Sequence, residues 1–329
     1  MAELRLNLIT REWVIIATER AKNPEEFVQH NHRTIPAFDD SCPFCPGNEL
    51  RTPGEVMRVT AGNGWRVRVT QNKFPALSPE GEKKRTNKGL RHLVTGVGRH
   101  EIIIEFPVHN MHTAYMNTDD LSMVIRTYRE RFIEVYRDPR VEYVMIFKNY
   151  GEEAGTSLLH PHAQIIGTPI TPLLVRNRKE EQIRFFDNTG HCLLCELLND
   201  ELNDGERIIL NTDHFVAFIP FAALSPFHTW IFPKRHCATF GSINDTEIAD
   251  LSFQLKSVLL KFHEGLENPD FNYVIRSHDP NECDSEYLHW YLSIVPRITR
   301  TAGFELGSGM YINTAIPEKS AAFLRSIKV

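Results

Sequence analysis

Two stretches of the chain carry apolar residues at helical spacing, "NTDDLSMVIRTYRERFIEVY" and "NDTEIADLSFQLKSVLLKFH". Both open with Asn, Asp or Thr, as a helix N-terminus does, so each predicts a helix with one buried face. Each is followed by a strand-like run, "EYVMIFKN" after the first and "FNYVIRS" after the second. A further strand-like run closes each series, "LLHPHAQIIGTP" and "YLHWYLSIVP". Alternation along the first of these puts His160, His162 and Gln164 on one face. Ahead of each helix stands a strand-like segment that ends in histidine: "EIIIEFPVH" at His109 and "HTWIFPKRH" at His236.

The series is thus written twice, and other markers keep the same order. Two C-x-x-C pairs, Cys42/Cys45 and Cys192/Cys195, lie 150 residues apart. "FPALSP" follows the first and "FAALSP" the second. The first half carries about 20 extra residues, for which the polar run "EGEKKRTNKG" is the natural place. The order of markers predicts a duplicated fold with one half over residues 1–172 and the other over 173–329. "PITPLLVRNRKEEQ" (169–182), with prolines at its start and charges at its end, reads as the connection.

Composition narrows the classes. The chain has 329 residues, 42% of them hydrophobic, a net charge of −5 and a pI near 6.3. No basic field argues for a nucleic-acid partner. No signal-peptide pattern opens the sequence and no apolar run reaches the roughly 18–20 residues of a spanning helix, so the expectation is a cytoplasmic protein without a membrane partner. In a reducing compartment C-x-x-C pairs are more often metal ligands or redox centres than structural disulfides. Cys237 and Cys283 stand alone and read as ordinary thiols.

Zinc takes four nitrogen or sulfur ligands in a structural site. The repeat offers Cys42, Cys45, His109 and His160 for one site, and Cys192, Cys195, His236 and His289 for the other. His100, His112 and His228 stand as substitutes, and a redox pair is the competing reading. Aligning the two closing strands puts His160 on His289, His162 on Tyr291 and Gln164 on Ser293. One histidine is kept in both halves; the other occurs once. His162 is then free for chemistry, as a neutral imidazole nucleophile. Gln164, about 7 Å further along the same face, offers an amide to an oxyanion. The turn "GEEAGTS" just before, with Gly155, Thr156 and Ser157, is suited to phosphate.

With these residues in view the chain resembles the galactose-1-phosphate uridylyltransferases of the histidine-triad superfamily. The resemblance rests on "CPFCPGNE", "NKFPAL", "FKNYGEEAGTS", "HPHAQ", "PFHTWIFPKRH" and "GFELGSGMYIN" and runs from about residue 4 to the C-terminus. Its branch is similar to a sister activity, ADP-glucose phosphorylase. The resemblance implies an α+β fold of two histidine-triad-like halves, a mostly antiparallel sheet with flanking helices, and a homodimer in which one subunit's C-terminal segment nears the other's site. It implies two zinc ions and a double displacement between a nucleoside-diphosphate hexose and a hexose 1-phosphate. His162 would carry the nucleotide and Gln164 would hold a phosphate oxygen. Asn149 and Gly155–Ser157 would hold the phosphates. Ala21, Lys22, Asn23, Pro24 and Asn72 would bind nucleotide, and Phe304, Glu305, Gly309 and Met310 the hexose side. Uridylyl transfer is put first, adenylyl transfer to phosphate second and a non-catalytic zinc scaffold third. A histidine-triad hydrolase is disfavoured because Gln164 takes the place of its third histidine. Two departures stand out: Asn23 where the family has arginine, which removes a fixed charge, and "PFHT", with His228, where the family reads "PFET".

Overall fold

The computed structural model describes residues 1–28, 34–62 and 64–329. The first half runs through β1 (Glu3–Leu6), β2 (Trp13–Ile16), β3 (Glu55–Ala61), β4 (Gly64–Gln71), β5 (Arg85–Lys88), β6 (Arg91–Val94), β7 (Arg99–Ile104), α1 (Thr118–Tyr136), β8 (Tyr143–Tyr150) and β9 (His162–Thr168). The second runs through α2 (Leu173–Thr189), α3 (Leu193–Asp204), β10 (Ile208–Asn211), β11 (Phe215–Phe218), β12 (Thr229–Pro233), α4 (Asp245–Leu266), β13 (Phe271–Arg276), β14 (Tyr291–Pro296), α5 (Gly303–Ser308), β15 (Tyr311–Asn313) and α6 (Pro317–Ser326).

Both long predicted helices form. Asn117 caps α1 by accepting from the Asp120 N–H (2.8 Å), and Asn244 caps α4 by accepting from the Glu247 N–H (2.9 Å). Their apolar stripes, among them Leu121, Val124, Ile125 and Phe132 on α1 and Leu251, Leu255, Val258 and Phe262 on α4, are buried in one core. Each such side chain contributes about 1.5–3 kcal/mol on burial, which fixes both helices on the same face of the sheet.

That sheet has ten antiparallel strands in the order β3-β4-β7-β9-β8-β13-β14-β12-β11-β10. The order is the same read from either end: β8 and β13 are the central pair, then β9 and β14, β7 and β12, β4 and β11, β3 and β10. The chain is an α+β fold of two related halves sharing one continuous sheet. The centre is stitched by a ladder from Phe271↔Tyr150 to Ile275↔Ile146.

The other face of the sheet distinguishes the halves. In the second, α3 and the end of α2 cover Phe218, Trp230, Phe232 and Tyr291. In the first, the segment with Cys42, Phe44 and Cys45 covers only part of it, against Trp65, Ile102 and Ile104. A small sheet, β1-β2-β15, ties the two ends of the chain together.

Three expectations need correction. His160 lies outside the strand: β9 begins at His162, and His289 likewise precedes β14. Pro161 has no N–H to give a ladder, so pairing starts after it. His109 and His236 stand beyond the ends of β7 and β12, not at them. The connection is mostly helix, because α2 begins directly after Pro172, which serves as its N-cap. The extra run of the first half holds the β5–β6 hairpin, a two-stranded sheet of its own.

Candidate active site

The turns that bring each half's histidines back over its C-x-x-C pair create two four-residue groups. In each, Cys42, Cys45, His109 and His160 or Cys192, Cys195, His236 and His289, all ligand atoms lie within 4.8 Å of one another. Sulfur-to-Nδ1 separations are 3.5–3.8 Å in the first and 3.2–3.4 Å in the second. A tetrahedral zinc ion with ordinary bond lengths needs about 3.5 Å between such atoms. Three of the four outer nitrogens are engaged. His160, His289 and His236 donate Nε2–H to the carbonyls of Phe106 (2.8 Å), Pro233 (3.1 Å) and Ser285 (2.9 Å). That fixes Nδ1 as the free lone pair toward the sulfurs.

The Asp39 and Phe44 N–H groups donate to Cys45 and Cys42 Sγ, each at 3.4 Å. Burial pushes the Cys42 thiol up to about 11 and the His160 imidazole down to about 4. The Cys192 thiol is held far below its ordinary value, first by Cys195 and then by His236 and His289. Both groups could hold a metal ion and suit zinc. No ligand position is left for water or substrate. His100, His112 and His228 are in neither group.

His162 opens β9 directly beside the first group. Its Nδ1–H donates to the His160 carbonyl (2.8 Å), which leaves Nε2 with a free lone pair. Phe44 packs on the ring at 5.3 Å. Burial lowers the pKa of His162, and the nearby Lys148 charge lowers it further, so the imidazole is neutral at pH 7. Lys148 lies on the opposite face of the sheet, fully buried and paired with Glu105, which also accepts from the Tyr128 and Tyr273 hydroxyls.

Gln164 is oriented by His100. The Ala76 N–H donates to His100 Nδ1 (3.0 Å), so the proton of this half-buried neutral ring is on Nε2, and it donates to Gln164 Oε1 (2.8 Å); Asn72 Nδ2 lies 3.0 Å from the same nitrogen, and Asn72 Oδ1 accepts from the Phe74 N–H (2.9 Å). The amide nitrogen of Gln164 is left for a ligand. The second half retains the arrangement in reduced form: His228 Nε2 lies 2.9 Å from the Ser293 hydroxyl, and Ser293 occupies the place of Gln164.

His162 and Gln164 line a cleft of about 760 Å³ with Phe44, Asn72, Phe74 and Ser157. The loop Gly151–Ser157 is held against the second half. Gly151 has φ +86°, and a Cβ there would overlap the Asp270 carboxylate, which accepts from the Glu153 N–H (2.7 Å). Asn149, at the end of β8, has its oxygen occupied by Asn272 (2.8 Å), which leaves its amide N–H groups for a ligand.

Asn149, Gly155 and Thr156 flank the cleft without lining it. Ala21, Lys22, Asn23 and Pro24 are elsewhere: Lys22 N–H donates to Thr314 O (3.0 Å), which puts the turn beside the C-terminal segment. Phe304, Glu305, Gly309 and Met310 belong to that segment, on or next to α5. It approaches the Gly151–Ser157 loop through the Arg300–Glu153 ion pair (2.8 Å). The roles of His100, Glu105, Lys148 and Phe44 are not evident from the sequence. The one signal is charge at core-facing places in apolar runs, as in "EIIIEF" and "IFKN".

The duplicated antiparallel sheet, with His162 present in one half only beside a Cys₂His₂ group, goes with a match to a family of nucleotidyltransferases. The chain belongs to the galactose-1-phosphate uridyl transferase family: the N-terminal domain of that family matches residues 1–172 and the C-terminal domain residues 143–303. It is 34% identical to ADP-glucose phosphorylase of Arabidopsis thaliana over 99% of this chain and 93% of that protein. It is 28% identical to galactose-1-phosphate uridylyltransferase of Thermotoga maritima over 100% and 99%. The crystal structure of the Arabidopsis thaliana ADP-glucose phosphorylase with bound ADP-glucose superposes with a TM-score of 0.84 at 32% identity, over 100% of this chain and 99% of that one.

Proposed function

We propose that the protein transfers a nucleotidyl group between a nucleoside-diphosphate hexose and a phosphate acceptor through His162. The observation that carries this is the tautomer of His162, with Nδ1–H tied to the His160 carbonyl and Nε2 unprotonated beside the Gln164 amide. Nε2 attacks the α-phosphorus, the bond to the bridging oxygen breaks, and hexose 1-phosphate leaves as the anion. The Gln164 amide donates to a non-bridging oxygen as charge builds there. An acceptor phosphate then attacks the same phosphorus and His162 leaves with its lone pair restored. Positioning does most of the work in such a reaction. Asn149 and Gly155–Ser157 supply donors for the phosphates, and Asn72, which lines the cleft, contacts the nucleotide.

Uridylyl transfer between UDP-glucose and galactose 1-phosphate, the reaction that gives the family its name, is put first. Adenylyl transfer from ADP-glucose to inorganic phosphate is the second reading, favoured by the 34% identity to the plant phosphorylase. We further propose zinc in both Cys₂His₂ groups, where it organises the loops around His160 and His289. The turn Ala21–Pro24 and the segment with Phe304, Glu305, Gly309 and Met310 are read as completing the cleft of a second copy in a homodimer. None of the six cysteines is in a disulfide, in keeping with a cytoplasmic setting.

The test is incubation of zinc-replete protein with UDP-glucose or ADP-glucose labelled in the α-phosphate. Acid-labile, alkali-stable label on the protein, absent from His162→Ala, is expected with one donor. Release of that label by galactose 1-phosphate or by phosphate identifies the acceptor. Absence of label with both donors would refute the reading.

A further inference from the structure

The second half's copy of the cleft is closed by α2, and two arginines lie beneath it without partners. Arg178, on α2, and Arg276, the last residue of β13, line one cavity of about 20 Å³ together with Tyr143, Gln182, His278 and Tyr291. Nε and Nη1 of Arg178 and Nε of Arg276 are buried and make no hydrogen bond. Among the described residues neither guanidinium has an ion pair; Glu181, three residues after Arg178, is engaged by Arg11 and Arg184, and Glu282, six residues after Arg276, by Lys179. Residues 29–33 and 63 carry no carboxylate side chain.

The surroundings supply no counter-charge. His228 is driven to about 3 by burial and then by the charges of Arg276 and Arg178, so it is neutral. Burial and the Arg178 charge also hold Arg276 below its ordinary value. Two guanidinium groups that line one cavity, with buried N–H groups that find no acceptor, are unfavourable together. A water molecule would satisfy hydrogen bonds but leave both charges. An anion answers both needs.

We propose that this cavity binds one small inorganic anion of chloride size between the guanidinium groups of Arg178 and Arg276. The volume sets the class. About 10–15 Å³ of such space holds one water-sized body, so the 20 Å³ of the cavity matches a halide better than the four oxygens of phosphate or sulfate. Arg276 is the ladder partner of Tyr291, the residue standing where the first half has His162. The anion therefore pins α2 over the strand positions that form the open cleft in the first half. The second half is closed by a charge-neutralised seal as well as lacking a nucleophile.

The test is thermal unfolding of the zinc-replete protein in mixtures of potassium chloride and potassium gluconate at constant ionic strength, which holds screening fixed. A saturable rise of the melting temperature with chloride is expected in the wild type, as for any ligand of the native state. In Arg276→Gln and in Arg178→Gln the chloride midpoint is expected to move at least tenfold or the rise to vanish. Crystals grown in bromide are expected to give an anomalous peak between the two guanidinium groups. Identical chloride and gluconate curves, a chloride effect unchanged in both variants, or no bromide peak at this position would overturn the proposal. The bromide result decides it even if the variants do not fold.

Discussion

At the scale of single residues, the candidate chemistry depends on where two ring protons sit. His162 is a usable nucleophile because the His160 carbonyl takes the proton of Nδ1. Gln164 is a usable donor because His100 occupies its oxygen. His100 touches no reacting atom and is a positioning residue. His100→Ala is expected to lower kcat about tenfold with KM nearly unchanged, since a fixed oxyanion donor contributes roughly 10²–10³ in rate and only its orientation is lost. His100→Gln, which can still offer an N–H to Oε1, is expected to recover part of kcat; an equal loss in both variants, or a loss confined to KM, would contradict the assignment. The alternation of His162 and Gln164 was legible in the sequence. The function of His100 was not, because its partners Ala76 and Gln164 are 24 and 64 residues away.

At the scale of elements, the two Cys₂His₂ groups join loops, and in the second half the first turn of α3, rather than strands. Each pulls a C-x-x-C segment, the loop after β7 or β12 and the turn before β9 or β14 onto one point. Metal analysis is expected to find two zinc ions per chain. Cys42→Ser is expected to lose one ion, several kcal/mol of stability and the nucleotide label, since metal binding is coupled to folding and His160 carries the carbonyl that orients His162. Cys192→Ser is expected to lose the other ion while retaining the label, because its group lies in the half without a counterpart of His162. Both ions retained in either variant would overturn the ligand sets. The repeat put all eight residues on one proposal from order alone. The sequence could not place His160 outside the strand, because Pro161 acts by withholding a ladder donor, which the hydrophobic pattern does not register.

At the scale of the whole molecule, one sheet serves both halves, and its burial sets the response to acid. His112 and His228 are buried, and burial lowers each pKa from 6.5 to about 3. Their folded-state values are depressed, so below pH 6.5 the unfolded chain binds protons that the folded chain does not. The stability they allow is present above pH 6.5 and is lost as pH falls toward 3. At pH 5 the loss is about 2 kcal/mol for each fully depressed histidine. Denaturant titrations at pH 7.5 and pH 5 are expected to show it, and His228→Gln should reduce the difference; an unchanged difference would show that His228 does not titrate between the two states.

The sequence by itself determined the duplication, both long helices, the pairing of thiols with histidines and the single copy of His162. Each of these is carried by residue type and order, which a linear reading preserves. Tertiary structure decided the rest. It joined the halves edge to edge through β8 and β13, left the first half's sheet face open and closed the second under α2. It also placed His100 behind Gln164 and set Arg178 against Arg276. Those relations join residues 64 to 98 positions apart across strands and helices, so hydrophobic period and local spacing carry no trace of them.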